Sequence, residues 1–185
     1  MVLLQSEAKK LKSGDAAPDF SLIGTDGKTH SLSGYRGAKA LLIVFMCNHC
    51  PYVQAKFSRL NEIYAKYSRL GLRMAGINPN DAKNYPDDSF DSMKNVANEQ
   101  KFGFDYLRDE TQEVAGKYGA VCTPDPFLFD AELRLAYHGR LDDALSPEKK
   151  PAKFDMERAI DSVLAGRKPV PDFLYSQGCS IKWKP

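Results

Sequence analysis

An uninterrupted apolar run that ends in two closely spaced cysteines constrains the fold of this chain more than any other feature. Residues 41–46 are all apolar, and Cys47 and Cys50 follow directly. A run without polar alternation is typical of a strand buried on both faces. Pro51 suits the first turn of a helix, and beyond it apolar residues recur at helical spacing, namely Val53, Phe57, Leu60, Tyr64 and Tyr67. The cysteines are therefore predicted to lie between the carboxyl end of a strand and the N-terminus of a helix.

This predicted location favours thiol chemistry. A free cysteine has a pKa of about 8.5, so little thiolate is present at neutral pH. The unpaired N–H groups and the dipole at a helix N-terminus stabilise an anion, and His49 can add a hydrogen-bond donor or a positive charge. Because Cys47 precedes the helix and is expected to be the more exposed, we predict that its thiolate attacks the substrate and that Cys50 resolves the mixed disulfide.

Zinc binding and a purely structural disulfide are the alternatives for this pair. A structural zinc site usually has a second close pair of cysteines or histidines. The other such residues are each isolated in the sequence: Cys122, Cys179, His30 and His138. A disulfide across C-x-x-C closes a very short loop and adds little stability. The spacing therefore favours redox chemistry, and we expect no cofactor or metal beyond the redox-active Cys47–Cys50 pair.

Length and composition bound the remaining possibilities. The 185 residues predict a single domain over 1–185, with a loosely held lead-in at 1–15 and a C-terminal tail at 167–185. A net charge of +2 without a basic tract argues against nucleic acid or a membrane surface as a partner. The sequence contains no apolar stretch of the length that a secretory signal or a transmembrane helix needs, so a cytoplasmic location is expected.

The other elements follow from periodicity and turn residues. An Asp-Gly turn at 26–27 predicts an N-terminal hairpin, and a strand at 72–78 predicts a β-α-β unit with parallel strands. Asp88 is predicted to cap a helix that ends at Gly103. The remaining predictions are a strand at 104–107, a helix at 111–118, a hairpin at 126–138 and a last helix at 155–166.

A second chemical feature stands just before the last hairpin. The Thr123-Pro124 bond lies at a predicted strand edge and is a candidate for a cis bond, although the trans form is more common. Strand alternation predicts that Cys122 points into the core behind Thr123. Cys179 lies in the tail, where the pattern requires no apolar residue. We expect both cysteines to be structural; Cys179 would be a third redox thiol only if the tail returned to the edge of Cys47.

Three segments together resemble the thioredoxin-like superfamily, specifically its redoxin branch of TlpA-type and AhpC/TSA-type thiol–disulfide oxidoreductases. They are Cys-Asn-His-Cys-Pro-Tyr-Val at 47–53, Thr-Pro-Asp at 123–125 and Gly-Cys-Ser-Ile-Lys-Trp at 178–183. The resemblance runs from about Ala17 to Trp183. It implies an α/β fold with a central mixed β-sheet flanked by helices, an N-terminal β-hairpin and a strand-helix insertion at about 104–118.

The resemblance also implies roles for individual residues. Thr123-Pro124 would be cis and would pack against the cysteine pair, and Thr123 would offer its backbone to an extended substrate strand. Thioredoxin-type sites have Trp before the first cysteine and Gly-Pro between the two, whereas Met46 and Asn48-His49 stand there in this chain. The strand at 41–46 contains no acid to accept a proton from the resolving thiol. That acceptor would therefore lie elsewhere or be water.

Three functions remain open from the sequence. The first is a thiol–disulfide oxidoreductase that cycles Cys47 and Cys50 on protein or low-molecular-weight thiol substrates. The second is an AhpC/TSA-type thiol peroxidase with antioxidant activity. However, the P-x-x-x-T-x-x-C pattern of peroxiredoxins would place Ile43 and Cys47 at its Pro and Thr positions. The third is a non-enzymatic protein that binds a soft metal such as Cu(I) through Cys47, His49 and Cys50.

Overall fold

The computed structural model describes residues 2–185, and Met1 lies outside the described residues. The strands are β1 (Leu3–Gln5), β2 (Ser21–Gly24), β3 (Thr29–Ser31), β4 (Ala40–Phe45), β5 (Leu72–Asn78), β6 (Asp105–Arg108), β7 (Cys122–Thr123), β8 (Asp125–Phe129), β9 (Leu135–Gly139), β10 (Phe173–Leu174) and β11 (Gln177–Ser180). The helices are α1 (Pro51–Gln54), α2 (Phe57–Tyr67), α3 (Phe90–Glu99), α4 (Glu113–Tyr118) and α5 (Asp155–Leu164). Short 3-10 turns occur at Leu32–Tyr35, Ser68–Leu70 and Pro86–Asp88.

The main sheet is mixed and runs in the order β10-β9-β8-β4-β5-β6-β2-β3. β5 is parallel to both β4 and β6, whereas β8 is antiparallel to β4 and β2 is antiparallel to β6. The β2–β3 hairpin, the β8–β9 hairpin and the β6–α4 insertion all occur as predicted. The α/β fold with a mixed central sheet is therefore confirmed.

β4 is the central strand of the core. All six of its residues are fully buried. Its side chains alternate between two hydrophobic clusters: Leu42 and Val44 join the cluster that contains α1, α2, α3 and α5, whereas Leu41 and Ile43 join the one that contains α4. Helices thus cover both faces of the sheet, which explains why the sequence of β4 lacks polar alternation.

The helix predicted after the cysteines is divided in two. α1 ends at Gln54 and α2 begins at Phe57. The predicted apolar stripe still packs on the sheet, with Val53, Leu60 and Tyr67 buried. None of the helices in residues 2–185 is long and apolar enough to cross a membrane.

A second, three-stranded sheet joins the two ends of the chain to the region of Thr123. Its order is β1-β11-β7, and both pairings are antiparallel. The lead-in at 1–15, which was expected to be loosely held, contains a strand paired with the tail at residues 3–5. Local patterns do not reveal these short strands, because their partners lie far away in the sequence and the side chains of β1 are exposed.

Leu42 is completely buried in β4, so Leu42→Ala is expected to lower the free energy of unfolding by about 2–5 kcal/mol. The same substitution at Leu70, which is 54% exposed, should change it by less than about 0.5 kcal/mol. Urea unfolding followed by circular dichroism measures both values. Equal losses in the two variants would contradict the central position of β4.

Candidate active site

The C-x-x-C segment connects the end of β4 to the start of α1. Because α1 begins at Pro51, Cys50 occupies the N-cap position of the helix. The predicted location between strand and helix is confirmed. The expectation that Cys47 is the more exposed thiol is wrong, because Cys47 and Cys50 are both 0% exposed. β7 and β11 cover this end of the helix, so neither sulfur reaches solvent.

Thr123 contacts both sulfurs. The Thr123-Pro124 bond is cis, as predicted. The Cys47 Sγ lies 3.3 Å from the Thr123 hydroxyl, and the Cys50 Sγ lies 3.3 Å from the Thr123 carbonyl oxygen, which accepts a hydrogen bond from the protonated thiol. The predicted contact between the Thr-Pro segment and the cysteine pair is therefore confirmed.

The backbone of Thr123 is not available in the way that the resemblance implied. Thr123 pairs with Cys179 in the antiparallel β7–β11 ladder. The tail of the chain itself therefore lies alongside the strand to which an extended substrate was expected to add. This correction could not come from local sequence, since the two residues are brought together only by the folding of the tail.

A buried carboxylate, Asp88, organises the loop between the cysteines. It accepts hydrogen bonds from the Asn48 backbone N–H at 2.6 Å and from the amides of Asn80 and Asn78 at 2.7 and 3.3 Å. The His49 Nδ1 lies 2.6 Å from the Asp88 Oδ2, the oxygen that also accepts from Asn80. The contacts to Asn48 and His49 hold both residues that separate the cysteines, and the amides of Asn78 and Asn80 hold the carboxylate in place.

The sequence pattern predicts a different role for Asp88. It was predicted to cap α3, but Ser89 occupies the N-cap and accepts a hydrogen bond from the Ser92 N–H. Both residue types are good caps, and propensity does not tell which of two neighbours faces the helix. One signal was present: Asp88 follows β5, and the carboxyl ends of the parallel strands β4 and β5 meet at one edge of the sheet.

Asn48 has a second set of contacts that the sequence did not indicate. Its side-chain oxygen accepts a hydrogen bond from the Tyr106 hydroxyl at 2.9 Å, and its amide donates to the Asp87 carbonyl at 2.8 Å. Gln54 donates to the Asn48 carbonyl at 2.8 Å. The loop is therefore held from β6, from the turn that contains Asp87 and from α1, which limits its freedom to change shape between redox states.

His49 and Asp88 form a hydrogen-bonded pair. The hydrogen bond to Asp88 is the main reason why the pKa of His49 is raised above its usual value. Burial raises the pKa of Asp88, but hydrogen bonds from His49, Asn80 and the Asn48 N–H outweigh burial and leave the pKa below its usual value. The His49 ring also stacks on Tyr85, with centroids 5.6 Å apart. His49 is thus bound to Asp88, whereas its position between the cysteines predicts a direct contact with the thiols.

The two thiols differ in acidity because their hydrogen-bond partners differ. The hydrogen bond from Cys47 is the largest influence on Cys50 and, with further hydrogen bonds from the Cys179 thiol, the Cys179 N–H and the Val53 N–H, it lowers the pKa of Cys50 to about 5 against the effect of burial. Burial, the hydrogen bond to Cys50 and the charge of Asp88 raise the pKa of Cys47. These influences make Cys50 the more acidic thiol of the pair, although the carbonyl oxygen of Thr123 faces its sulfur.

Cys47, His49 and Asp88 are also close enough to be a candidate metal site. One ligand atom from each lies within 4.8 Å of the others. The set suggested from sequence had Cys50 in place of Asp88. Both oxygens of Asp88 already accept hydrogen bonds, one of them from His49, so a metal ion would have to replace contacts that hold the loop.

The remaining two cysteines occupy different positions. Cys122 is fully buried, and its thiol lies near the Pro124 carbonyl at 3.9 Å and the Ser176 hydroxyl at 4.0 Å. This agrees with the predicted core position behind Thr123. Cys179, in contrast, belongs to a tail that has returned to the site, where it hydrogen-bonds Cys50. The structural role expected for Cys179 is untested, but its location is next to the reactive pair.

Comparison with known proteins identifies the family. Residues 13–138 match the AhpC/TSA family. This chain belongs to the AhpC/TSA family. Thiol-disulfide oxidoreductase ResA of Bacillus thuringiensis (strain Al Hakam) is 25% identical over 127 residues, which are 69% of this chain and 69% of that protein. Peroxiredoxin Q of Triticum aestivum is 29% identical over 110 residues, which are 60% of this chain and 47% of that protein.

A solved structure extends the similarity over the whole chain. The crystal structure of an uncharacterized conserved protein from Geobacillus kaustophilus has a TM-score of 0.94 and 40% identity, and the match covers 100% of this chain and 98% of that chain. The crystal structure of a putative Thiol:disulfide interchange protein DsbE from Chlorobium tepidum matches 83% of this chain and 99% of that chain with a TM-score of 0.65 and 26% identity. The AhpC/TSA family and the thioredoxin-like fold predicted from the motifs are therefore confirmed. The named relatives are thiol–disulfide oxidoreductases and peroxiredoxins, so the chain is an oxidoreductase of this class.

Asp88→Asn removes the charge at the centre of the loop but keeps the size of the side chain. We expect the pKa of His49 to fall in this variant, because the contact that raises it loses its negative partner. NMR titration of the histidine ring signals measures the change. The His30 ring, which contacts Asp26 and Asp105, serves as the internal reference. A His49 titration curve that is the same in both proteins would contradict the assigned pair.

Proposed function

We propose that this protein is a thiol–disulfide oxidoreductase whose Cys47 and Cys50 cycle between dithiol and disulfide. The observation that carries the proposal is geometric: the two cysteines lie between the end of β4 and the start of α1, and each sulfur is 3.3 Å from an oxygen of Thr123. A thiolate is the nucleophile in disulfide exchange, and the pKa of Cys50 is lowered in this site. The substrates belong to the broad class of protein or low-molecular-weight thiols and disulfides.

The reaction follows from the charge distribution. The Cys50 thiolate attacks one sulfur of a substrate disulfide RS–SR′ and expels R′S⁻, which takes up a proton. Cys47 then attacks the Cys50 sulfur, and its proton passes to the departing RS⁻. The products are the Cys47–Cys50 disulfide and two thiols, so the substrate is reduced by two electrons. This order reverses the attacker and resolver assigned from sequence.

The loop contacts support the exchange without taking part in it. Asp88 binds the Asn48 N–H and His49, and thereby fixes the chain between the two sulfurs. Thr123 lies against both sulfurs through its hydroxyl and its carbonyl. A short path between the cysteines is needed for the second step, because the resolving thiol must reach the sulfur of the first.

A thiol peroxidase is the second candidate. It is favoured by the similarity to peroxiredoxin Q. The peroxiredoxin pattern aligns its attacking cysteine with Cys50 and its hydroxyl with Cys47, whereas the Thr123 hydroxyl lies 3.3 Å from the Cys47 Sγ and the Thr123 carbonyl faces Cys50. Consumption of hydrogen peroxide in place of a disulfide by the same reduced protein separates the two reactions.

No nucleic-acid or membrane partner is proposed, and the cytoplasmic location stays a prediction.

Cys47→Ser and Cys50→Ser should each lower reduction of a protein disulfide by dithiothreitol at least about 100-fold, since either change prevents the two-step exchange. Cys122→Ala is the matched control and should stay within about threefold of wild type, because its thiol points into the core. Circular dichroism verifies that each variant is folded. Wild-type turnover in both serine variants would contradict the proposed pair.

Alkylation of the reduced protein tests where the charge lies. At about pH 6, iodoacetamide should label Cys50 before the other cysteines, because only the thiolate reacts. Peptide mass spectrometry after short reaction times gives the order. Prior labelling of Cys47 would restore the assignment made from sequence, and equal rates for all four thiols would indicate that unfolding, not acidity, controls the reaction.

A further inference from the structure

The tail brings a third thiol to the reactive pair. Cys179 is 2% exposed and lies in β11, where its register partner is Thr123. The Thr123 carbonyl is the group that lies 3.3 Å from the Cys50 sulfur. Cys179 and Cys50 therefore approach Thr123 from two elements, the tail strand and the start of α1.

The contact between the two sulfurs is direct. The Cys179 thiol and the Cys179 backbone N–H both hydrogen-bond the Cys50 sulfur. Gly178 permits this close approach, since a Cβ at that position would overlap the Thr123 carbonyl. The backbone of Gly178 therefore packs directly against Thr123, the residue that contacts the reactive pair.

Cys122 provides the contrast within the same small sheet. It precedes Thr123 by one residue, so strand alternation turns its side chain the other way. Its thiol contacts Ser176, whose hydroxyl donates to Asp125, and Asp125 in turn pairs with His138. Three of the four thiols therefore form one cluster centred on Cys50, and the fourth belongs to a separate buried polar chain.

We propose that Cys179 is a third redox-active thiol, which replaces Cys47 as the disulfide partner of Cys50. The proposal rests on the proposed function, because it requires the Cys47–Cys50 disulfide. The Cys179 sulfur attacks Cys50, the Cys50–Cys179 bond forms, the Cys47–Cys50 bond breaks, and the proton of Cys179 passes to Cys47. One disulfide and one thiol are present before and after, so the step needs no oxidant.

β11 occupies the position in which an extended substrate was expected, and this indicates a role for the exchange. The tail lies antiparallel to β7 at the strand that was expected to receive an extended substrate, and it presents a cysteine to the reactive sulfur as such a substrate would. The Cys50–Cys179 disulfide is thus an internal mixed disulfide. It returns Cys47 to the thiol state and links the tail covalently to the start of α1.

Disulfide mapping of full-length protein tests the proposal. Trypsin places Cys47 and Cys50 in peptide 40–56, Cys122 in 118–134 and Cys179 in 168–182. Wild type and Cys47→Ser are oxidised with diamide, quenched with N-ethylmaleimide, digested and analysed by mass spectrometry. Cys50→Ser is the matched control, because it removes the shared sulfur but keeps the other thiols.

We expect a cross-link between peptides 40–56 and 168–182 in oxidised Cys47→Ser, with maleimide labelling of Cys179 reduced at least about fivefold relative to the reduced protein. The same cross-link, with Cys47 alkylated, should occur in oxidised wild type and be absent from Cys50→Ser. Full labelling of Cys179 in both wild type and a folded Cys47→Ser would overturn the proposal.

The same maps distinguish failure of the third thiol from failure of the proposed function. If peptide 40–56 of oxidised wild type contains an internal disulfide while Cys179 stays fully labelled in both wild type and Cys47→Ser, the Cys47–Cys50 pair is retained and only the third thiol is refuted. Absence of the internal disulfide, with Cys47 and Cys50 both labelled after oxidation, would refute the proposed function itself. Cross-linking of Cys179 to peptide 118–134 would also overturn the proposal, since it would make Cys122 the partner.

Discussion

The parallel pairing of β4 with β5 is the constraint on which the candidate site depends. Because the two strands run in the same direction, their carboxyl ends lie side by side, and the segments that follow them must share one edge of the sheet. One segment carries Cys47 and Cys50, and the other carries Asp88. The carboxylate can therefore reach the residues between the cysteines, although it lies about forty positions further along the chain.

Burying Asp88 has a cost that the site offsets with hydrogen bonds. A buried carboxylate without partners loses several kcal/mol of hydration. The contacts from Asn48, His49, Asn78 and Asn80 replace that hydration and, in doing so, fix the loop between the thiols. A buried polar network favours one defined conformation only when all its members are paired. This explains why three amide groups donate to the single carboxylate of Asp88.

The thiols show how position within a helix controls chemistry. Cys50 occupies the N-cap and receives hydrogen bonds that lower its pKa, whereas Cys47 lies before the helix and faces the charge of Asp88. A negative charge is favoured where donors converge and is disfavoured near another negative charge. The small sheet adds Cys179 to the donors of Cys50, so the ends of the chain contribute to the electrostatics of a site whose centre lies near residue 50.

The sequence by itself determined the central strand, the place of Cys47 and Cys50 between strand and helix, the α/β fold and the family, because these follow from local periodicity, from turn chemistry and from short motifs. Only the tertiary structure decided that Asp88 holds the loop, that both thiols are buried, and that β11 lies beside Thr123. Each of these depends on contacts between segments far apart in sequence, in which the local pattern fits several partners equally well. Asp88 is as good a helix cap as it is a buried anchor, and only the packing of β5 beside β4 selects between the two roles.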